Sequence, residues 1–344
     1  MWCDPTVPQP PLDFRSDTVT KPDERMRAAM AGAKVGDDVL DHDPTMRELE
    51  DRVADLIGTE SALWVPSGSM GNLVALFLHL NRGDRFLAPL GAHVLDNELG
   101  TAAWLAGGLP HPMDWDAGPG WMSARAIHEV AGREPGYDGL RTTLLCIENT
   151  HNAAGGAVLS LDIHVQLIAA ARECRLLVHL DGARLWNAAV ALGVAPSELT
   201  VGADTVQVCL SKGLGAPVGS LIGGSAEFVT EARRVRKMLG GGVRQGGVLA
   251  AAGLVALDRI DALAEDHVNA AVLAEGLAEL GWSVRSPETN IVLAAVPDVR
   301  STIKGLARLG ILATPMAGQV RFVTHRNAGT ADVKEALHRI SSAS

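Results

Sequence analysis

The stretch "VQVCLSKGLGAPVG", from Val206 to Gly219, decides the fold. An apolar, β-branched run ends on Ser211 and Lys212 and then gives way to glycines. A short apolar run closed by turn residues reads as a strand buried on both faces. The lysine at its mouth needs a reason, because desolvating an ammonium costs roughly several kcal/mol. An open α/β sheet supplies one, since such sheets bind ligands at the carboxyl ends of their strands.

Working outward, the chain from about 60 to 225 alternates short apolar runs with amphipathic ones. "SALWV", "RFLAP", "TTLLCIEN", "LLVHLD", "TVQVCLS" and "SLIGG" are the expected strands. Helices are expected over 44–57, 69–81, 96–106, 161–173, 185–193 and 225–238. Strands this apolar belong to a parallel or mixed sheet covered by helices, an α/β architecture. Polar groups follow four of them: "PSGS", "ENTHN", "DGAR" and "SKGLG". Four such endings imply one shared site. After Gly247 the texture changes to a long Ala/Leu-rich segment, read as two helices. The short strands "SVRS", "NIVLAAV", "GILAT" and "VRFVT" then alternate with helices near 299–309 and 330–341. The expected division is a lead-in over 1–12, a large domain over 13–249 and a smaller α+β domain over 250–344.

With 344 residues, 47% of them hydrophobic, the chain can bury a sizeable core. A net charge of -10 argues against nucleic acid, and no apolar run reaches membrane-spanning length. Cys3, Cys146, Cys174 and Cys209 form no C-x-x-C pair, which suits reduced thiols and a cytoplasmic location. The proline-rich opening "MWCDPTVPQPPLDF" has no basic start and no apolar h-region, so a disordered lead-in is expected and not a signal peptide.

Lys212 alone has two readings: a side chain snorkelling into water, or an amine poised to form a Schiff base with an aldehyde. "GLGAPVG" is spaced G-x-G-x-x-x-G and runs into a strand, a poor match to a dinucleotide loop. Asp181, in "LLVHLDGARLW", is either a helix-capping aspartate or the partner of a protonated pyridine nitrogen. "SGSMGN" offers glycine-turn N–H groups at a helix start, a seat for phosphate, though strand-to-helix turns are often Gly/Ser-rich anyway. The three in this order point more sharply than any one of them.

Those stretches belong to a wider pattern: "DFRSDTVTKP", "VGDDV", "DPT", "PSGSMGN", "AH", "ENTHN", "HLDGARLWNA", "CLSKGLGAPVGSLIGG", "RKMLGGGVRQGG" and "VRFVTH". From residue 13 to about 325 the chain resembles the low-specificity L-threonine aldolases, β-eliminating lyases of the fold-type I pyridoxal-phosphate group. The resemblance implies a pyridoxal-phosphate aldolase that cleaves threonine, allo-threonine or related β-hydroxy-α-amino acids to glycine and an aldehyde. It also implies a homo-oligomer, a dimer or homotetramer with shared sites, and neither nucleic-acid nor membrane partners. By position, Lys212 would hold the cofactor and Asp181 would face its pyridinium nitrogen. Arg184 would lie near the phenolic oxygen and the substrate carboxylate. Gly68 and Ser69 would seat the phosphate, helped by Arg244 from a neighbouring subunit. His93 would stack on the ring, Ser16 and Arg321 would hold the carboxylate, and His151 would serve the β-hydroxyl as base. No metal site is implied.

Each of these has a plainer reading: core histidines for His93 and His151, a surface ion pair for Arg244, a cap for Ser16, a sheet-edge charge for Arg321. The chain also departs from the family. Leu40, Asp41 and His42 break the "VGDDVYG" pattern, "VLDNELG" after His93 lacks the usual aromatics, and Tyr137 is the single tyrosine. These changes would reshape the β-substituent pocket or the subunit contact, with His42 a further polar group for a neighbour's site. Other readings are a β-eliminating lyase, an aldolase for another β-hydroxy amino acid, a non-catalytic cofactor-binding module and, remotely, a nicotinamide dehydrogenase.

Overall fold

The computed structural model describes residues 10–133 and 136–343. Most of the expected lead-in, including Cys3, lies outside them. Seven strands form the main sheet in the order Ser61–Val65, Ser220–Gly224, Thr205–Cys209, Leu177–Gly182, Thr142–Glu148, Arg85–Pro89 and Leu109–Met113. Ser220–Gly224 runs antiparallel to both of its neighbours, and the remaining pairs are parallel. Val206, Val208, Leu180, Val178, Leu145 and Ile147 are buried, as strands covered on both faces require. The expected α/β architecture with a mainly parallel sheet is what the chain adopts.

Local chemistry explains the helices that cover the sheet. Pro44–Ile57 opens on Asp43, whose carboxylate accepts from the N–H groups of Thr45 and Met46, and closes on Gly58 in the left-handed region. Gly68–His79 is capped by Ser67, and Leu161–Glu173 by Ser160. The helix expected over 96–106 is instead two four-residue turns, His93–Asp96 and Thr101–Trp104. Leu99 and Gly100, at φ of 57° and 70°, turn the chain left-handed between them and break the run. Leu109–Met113, "LPHPM", was not among the expected strands; it lies at the sheet edge, where prolines are tolerated. Two further helices, Glu24–Ala31 and Ala124–Ala131, also escaped the pattern.

Toward the C-terminus an antiparallel sheet orders Thr314–Met316, Gln319–Val323, Ile291–Ala295 and Ser283–Val284. Its core holds Val292, Val320, Phe322, Leu273, Leu277 and Val333. Phe14 joins that core from the other end of the chain, and Leu12–Asp13 pairs in parallel with Ile311–Leu312. Gly247–Leu257 packs with the large sheet, where Ala250, Ala252 and Ala256 share one core with Val206 and Leu180. Among the described residues, no helix is long and apolar enough to cross a membrane.

Candidate active site

Parallel pairing builds the site. Glu148 lies opposite Asp181 and Asp181 opposite Gln207, so three adjacent strands present these side chains in one row at their carboxyl ends. Around that row is a cavity of about 250 Å³, a little below the roughly 300–1,000 Å³ usual for small-molecule sites. Gly68, Ser69, His93, Asp181, Arg184 and Lys212 all line it. Lys212 is half-buried at the wall, which answers its placement at the mouth of an apolar strand.

Asp181 is held from two sides: Oδ1 accepts from the Ala183 N–H at 3.0 Å and Oδ2 from Asn72 Nδ2 at 2.8 Å. His93 Nδ1 lies 2.7 Å from Glu98 Oε1. Burial opposes charge on this imidazole, yet the Glu98 hydrogen bond with Asp181 nearby raises its pKa above the ordinary value. Burial likewise raises the Glu98 carboxyl. His93, Glu98 and Asp181 are close enough to share a metal ion. The Asn72 amide donates to both carboxylates, however, at 2.7 and 2.8 Å, so a donor already occupies the space between them.

Arg184 is buried, and Asp17 takes two of its hydrogen bonds. Its Nη1 reaches Asn152 Oδ1 at 3.2 Å, and Arg321 Nη1 reaches the same oxygen at 2.9 Å. Two guanidinium groups thus converge on one carbonyl oxygen at the cavity wall. Burial, with Arg184 alongside, lowers the Arg321 pKa to about 10. Ser16 does not line the cavity; its Oγ caps the short helix Asp17–Val19 by accepting from Thr18 N–H. Arg244 is on the surface, 3.2 Å from Asp37, and Leu40, Asp41 and His42, a few residues after Asp37, are exposed.

His151 is fully buried behind the wall, its ring edge-on to Trp115 and Trp121, and is not among the cavity-lining residues. Nδ1 accepts from the Ala154 N–H at 3.2 Å, so the proton of a neutral ring sits on Nε2, which has no partner among the described residues. Burial lowers this imidazole's pKa, keeping the ring neutral.

Motif reading did not single out Asp17, Asn72, Glu98, Glu148, Asn152 or Gln207. Asp17, Asn72, Glu148, Asn152 and Gln207 stand inside the quoted stretches, and the signal for Glu148, Asn152 and Gln207 was a polar residue in or just after an apolar strand. Glu98, in a loop, carried none.

The donor set suits a phosphorylated, aldehyde-bearing aromatic ring. The first N–H groups of Gly68–His79 have no intrahelical acceptor and point out of the helix start at Gly68 and Ser69. A Cβ on Gly68 would come within 2.9 Å of Cys209 Sγ, so glycine keeps this end of the cavity open. An amine and a fixed carboxylate complete the set.

Known proteins agree with this geometry. A probable low-specificity L-threonine aldolase of Arabidopsis thaliana is 43% identical over 339 residues, covering 95% of each chain. The low specificity L-threonine aldolase of Escherichia coli K12 is 40% identical over 329 residues, covering 94% of this chain and 96% of that one. Among solved structures, Leishmania major threonine aldolase superposes with a TM-score of 0.83 at 18% identity, over 97% of this chain and 99% of that one. The serine palmitoyltransferase of Sphingomonas wittichii, at 0.76 and 17% over 97% and 87%, shares the same fold. The beta-eliminating lyase family matches residues 13–298, and with a lysine, a carboxylate and a helix start meeting at one cavity, the chain belongs to that family of pyridoxal-phosphate-dependent enzymes.

Proposed function

We propose that this chain is a cytoplasmic pyridoxal-phosphate aldolase that splits L-threonine, L-allo-threonine or related β-hydroxy-α-amino acids into glycine and an aldehyde. The observation that carries the reading is the placement of Lys212 and Asp181 in one cavity with Asn152 Oδ1, on which Arg184 and Arg321 converge. The aldolase names of relatives at 40–43% identity support the same reaction.

Pyridoxal phosphate, when bound, supplies an electron sink for the pair released from a broken Cα–Cβ bond. Lys212 would hold it covalently through Nζ, and Asp181 would keep a proton on its ring nitrogen. Gly68 and Ser69 would donate backbone N–H groups to its phosphate. The Glu98 contact fixes the His93 ring in the position from which it would stack on the pyridine face. A substrate carboxylate would take the place marked by Asn152 Oδ1, bound by planar guanidinium groups that orient as well as attract. That orientation selects which bond at Cα breaks.

His151, standing behind the cavity wall, is our base for the β-hydroxyl proton through a bridging water. Its bare Nε2 carries hydrogen in the present tautomer, so accepting a proton there requires the hydrogen to move to Nδ1 and the Ala154 contact to open. His151→Asn should lower cleavage by about 10²–10⁴-fold with cofactor uptake retained. Near-normal turnover removes His151 from the role.

Arg244, exposed here, would complete the phosphate site of a neighbouring subunit in a dimer or tetramer. Leu99 and Trp104, on the segment that follows His93, are 94% and 69% exposed and offer apolar surface for that contact. The deciding experiment supplies a panel of β-hydroxy amino acids and measures products. Aldehyde with glycine is expected; a 2-oxo acid with ammonia, pyruvate where the substrate is serine, makes the enzyme a β-eliminating lyase instead.

A further inference from the structure

Asn72, on the first turns of Gly68–His79, is buried, and its Nδ2 faces two carboxylates, Glu98 and Asp181. An amide oxygen cannot face them, so the orientation of the amide is fixed and Oδ1 points the other way. There it meets His179 Nε2 at 3.0 Å. Because Oδ1 only accepts, Nε2 must carry hydrogen. Burial pushes His179 down to about 4, so the ring is neutral and Nδ1 bears a lone pair. That lone pair takes the Thr205 hydroxyl proton at 2.9 Å. The Thr205 oxygen in turn accepts from His79 Nε2 at 3.0 Å. His79, also lowered to about 4 by burial, stacks on Phe228 at 5.4 Å. Each link dictates the next, and every donor points toward Asp181.

Strand register supplies the alignment. His179 stands two residues before Asp181 and so on the same face, and Thr205 is its partner on the next strand. His179, Thr205 and His79 do not line the cavity, whereas Asn72 does.

We propose that His79, Thr205, His179 and Asn72 form a one-way file of hydrogen-bond donors that orients the Asp181 carboxylate toward its ligand. They are positioning residues, acting through Asp181. The file itself stands on the geometry above; its consequence for the cofactor rests on the proposed function.

Two measurements on the full chain test it. Long-range ¹H–¹⁵N spectra of labelled histidine, assigned with His179→Gln and His79→Gln, should show both rings as neutral Nε2–H tautomers from about pH 5.5 to about pH 8. An Nδ1–H tautomer or an imidazolium at His179 near pH 6 overturns the file. Titration with pyridoxal phosphate should show Kd raised about 10- to 100-fold in Asn72→Leu, which removes a donor to a charged group. Thr205→Val should raise it about 3- to 10-fold, whereas Thr205→Ser, which keeps the hydroxyl, should bind as the parent does. This pair keeps the test alive if Asn72→Leu fails to fold. Equal binding by Thr205→Val and the parent also overturns the file. A parent chain that takes up no pyridoxal phosphate defeats the functional reading, and the tautomers then decide the file alone.

Discussion

At Arg184, two oxygens of Asp17 accept from Nε at 2.8 Å and Nη2 at 2.7 Å, with both side chains shut away from water. Asn290 Nδ2 adds a third bond to Asp17 at 3.2 Å. Asp17→Ala would leave a buried cation without its counter-charge, at a cost of about 3–5 kcal/mol, readable in urea unfolding. Burial works against the Asp17 charge, but Arg184 prevails and holds the carboxyl below the ordinary range. A lowered folded pKa gives stability that is complete above about pH 4 and is lost as pH falls, so the urea midpoint should drop on acidification. Asp266 behaves in the opposite sense. Burial, then Asp17 and Glu265, raise it to about 7 while Arg326 opposes them. Its raised folded pKa means that the protonated form is the one folding favours, so stability is lost as pH rises from about 4 to 7. Asp266→Asn, which cannot ionise, should gain on the parent between about pH 5 and about pH 8; an unchanged gap in urea midpoints would dismiss the argument.

Element by element, caps and gaps matter more than propensity. Asp43 accepts from Thr45 and Met46 at the start of Pro44–Ile57 and also from Gly36 and Gly247, joining a loop and a second helix at one carboxylate. Asp43→Ala should therefore cost about 2 kcal/mol, the upper end for an N-cap, measured by chemical denaturation. At the other key helix, Gly68→Ala would press a methyl toward Cys209 Sγ and Gln207 Nε2. Pyridoxal-phosphate uptake should weaken more than fold stability; a normal Kd would show that the cavity end has room. Most of these elements were legible in the sequence because their signals are local. "SALWV", "RFLAP" and "SLIGG" are apolar runs with turn residues close by, and 44–57 carries proline and glycine at its ends. "LPHPM" was illegible because its strand character comes from its neighbour Arg85–Pro89, not from its own residues. The break at Leu99 was hidden for a related reason: a left-handed leucine has no sequence signature.

Across the whole molecule, the site is an assembly of distant pieces, and legibility falls with that distance. Lys212, Asp181, His93 and Gly68 each close a strand or open a helix, so motif reading brings them to one cavity. The Asp17–Arg184 bond and the Asn152 meeting point depend on tertiary packing and could not be read from spacing. Arg244 lies outside the cavity of its own chain, which sets a test at this scale. Mixed Lys212→Ala and Arg244→Ala subunits should recover activity that neither homo-oligomer shows, because one hybrid site regains both groups; no recovery on subunit exchange would confine each site to one chain. The pairing of Leu12–Asp13 with Ile311–Leu312 has a consequence in time. A ribosome makes the first of these strands roughly 300 residues before the second, a lag of about 15 to 60 s at ~5–20 residues per second. Until that far segment leaves the ribosome Phe14 lacks part of the core it enters, so this corner of the fold closes only after residue 312 has been made.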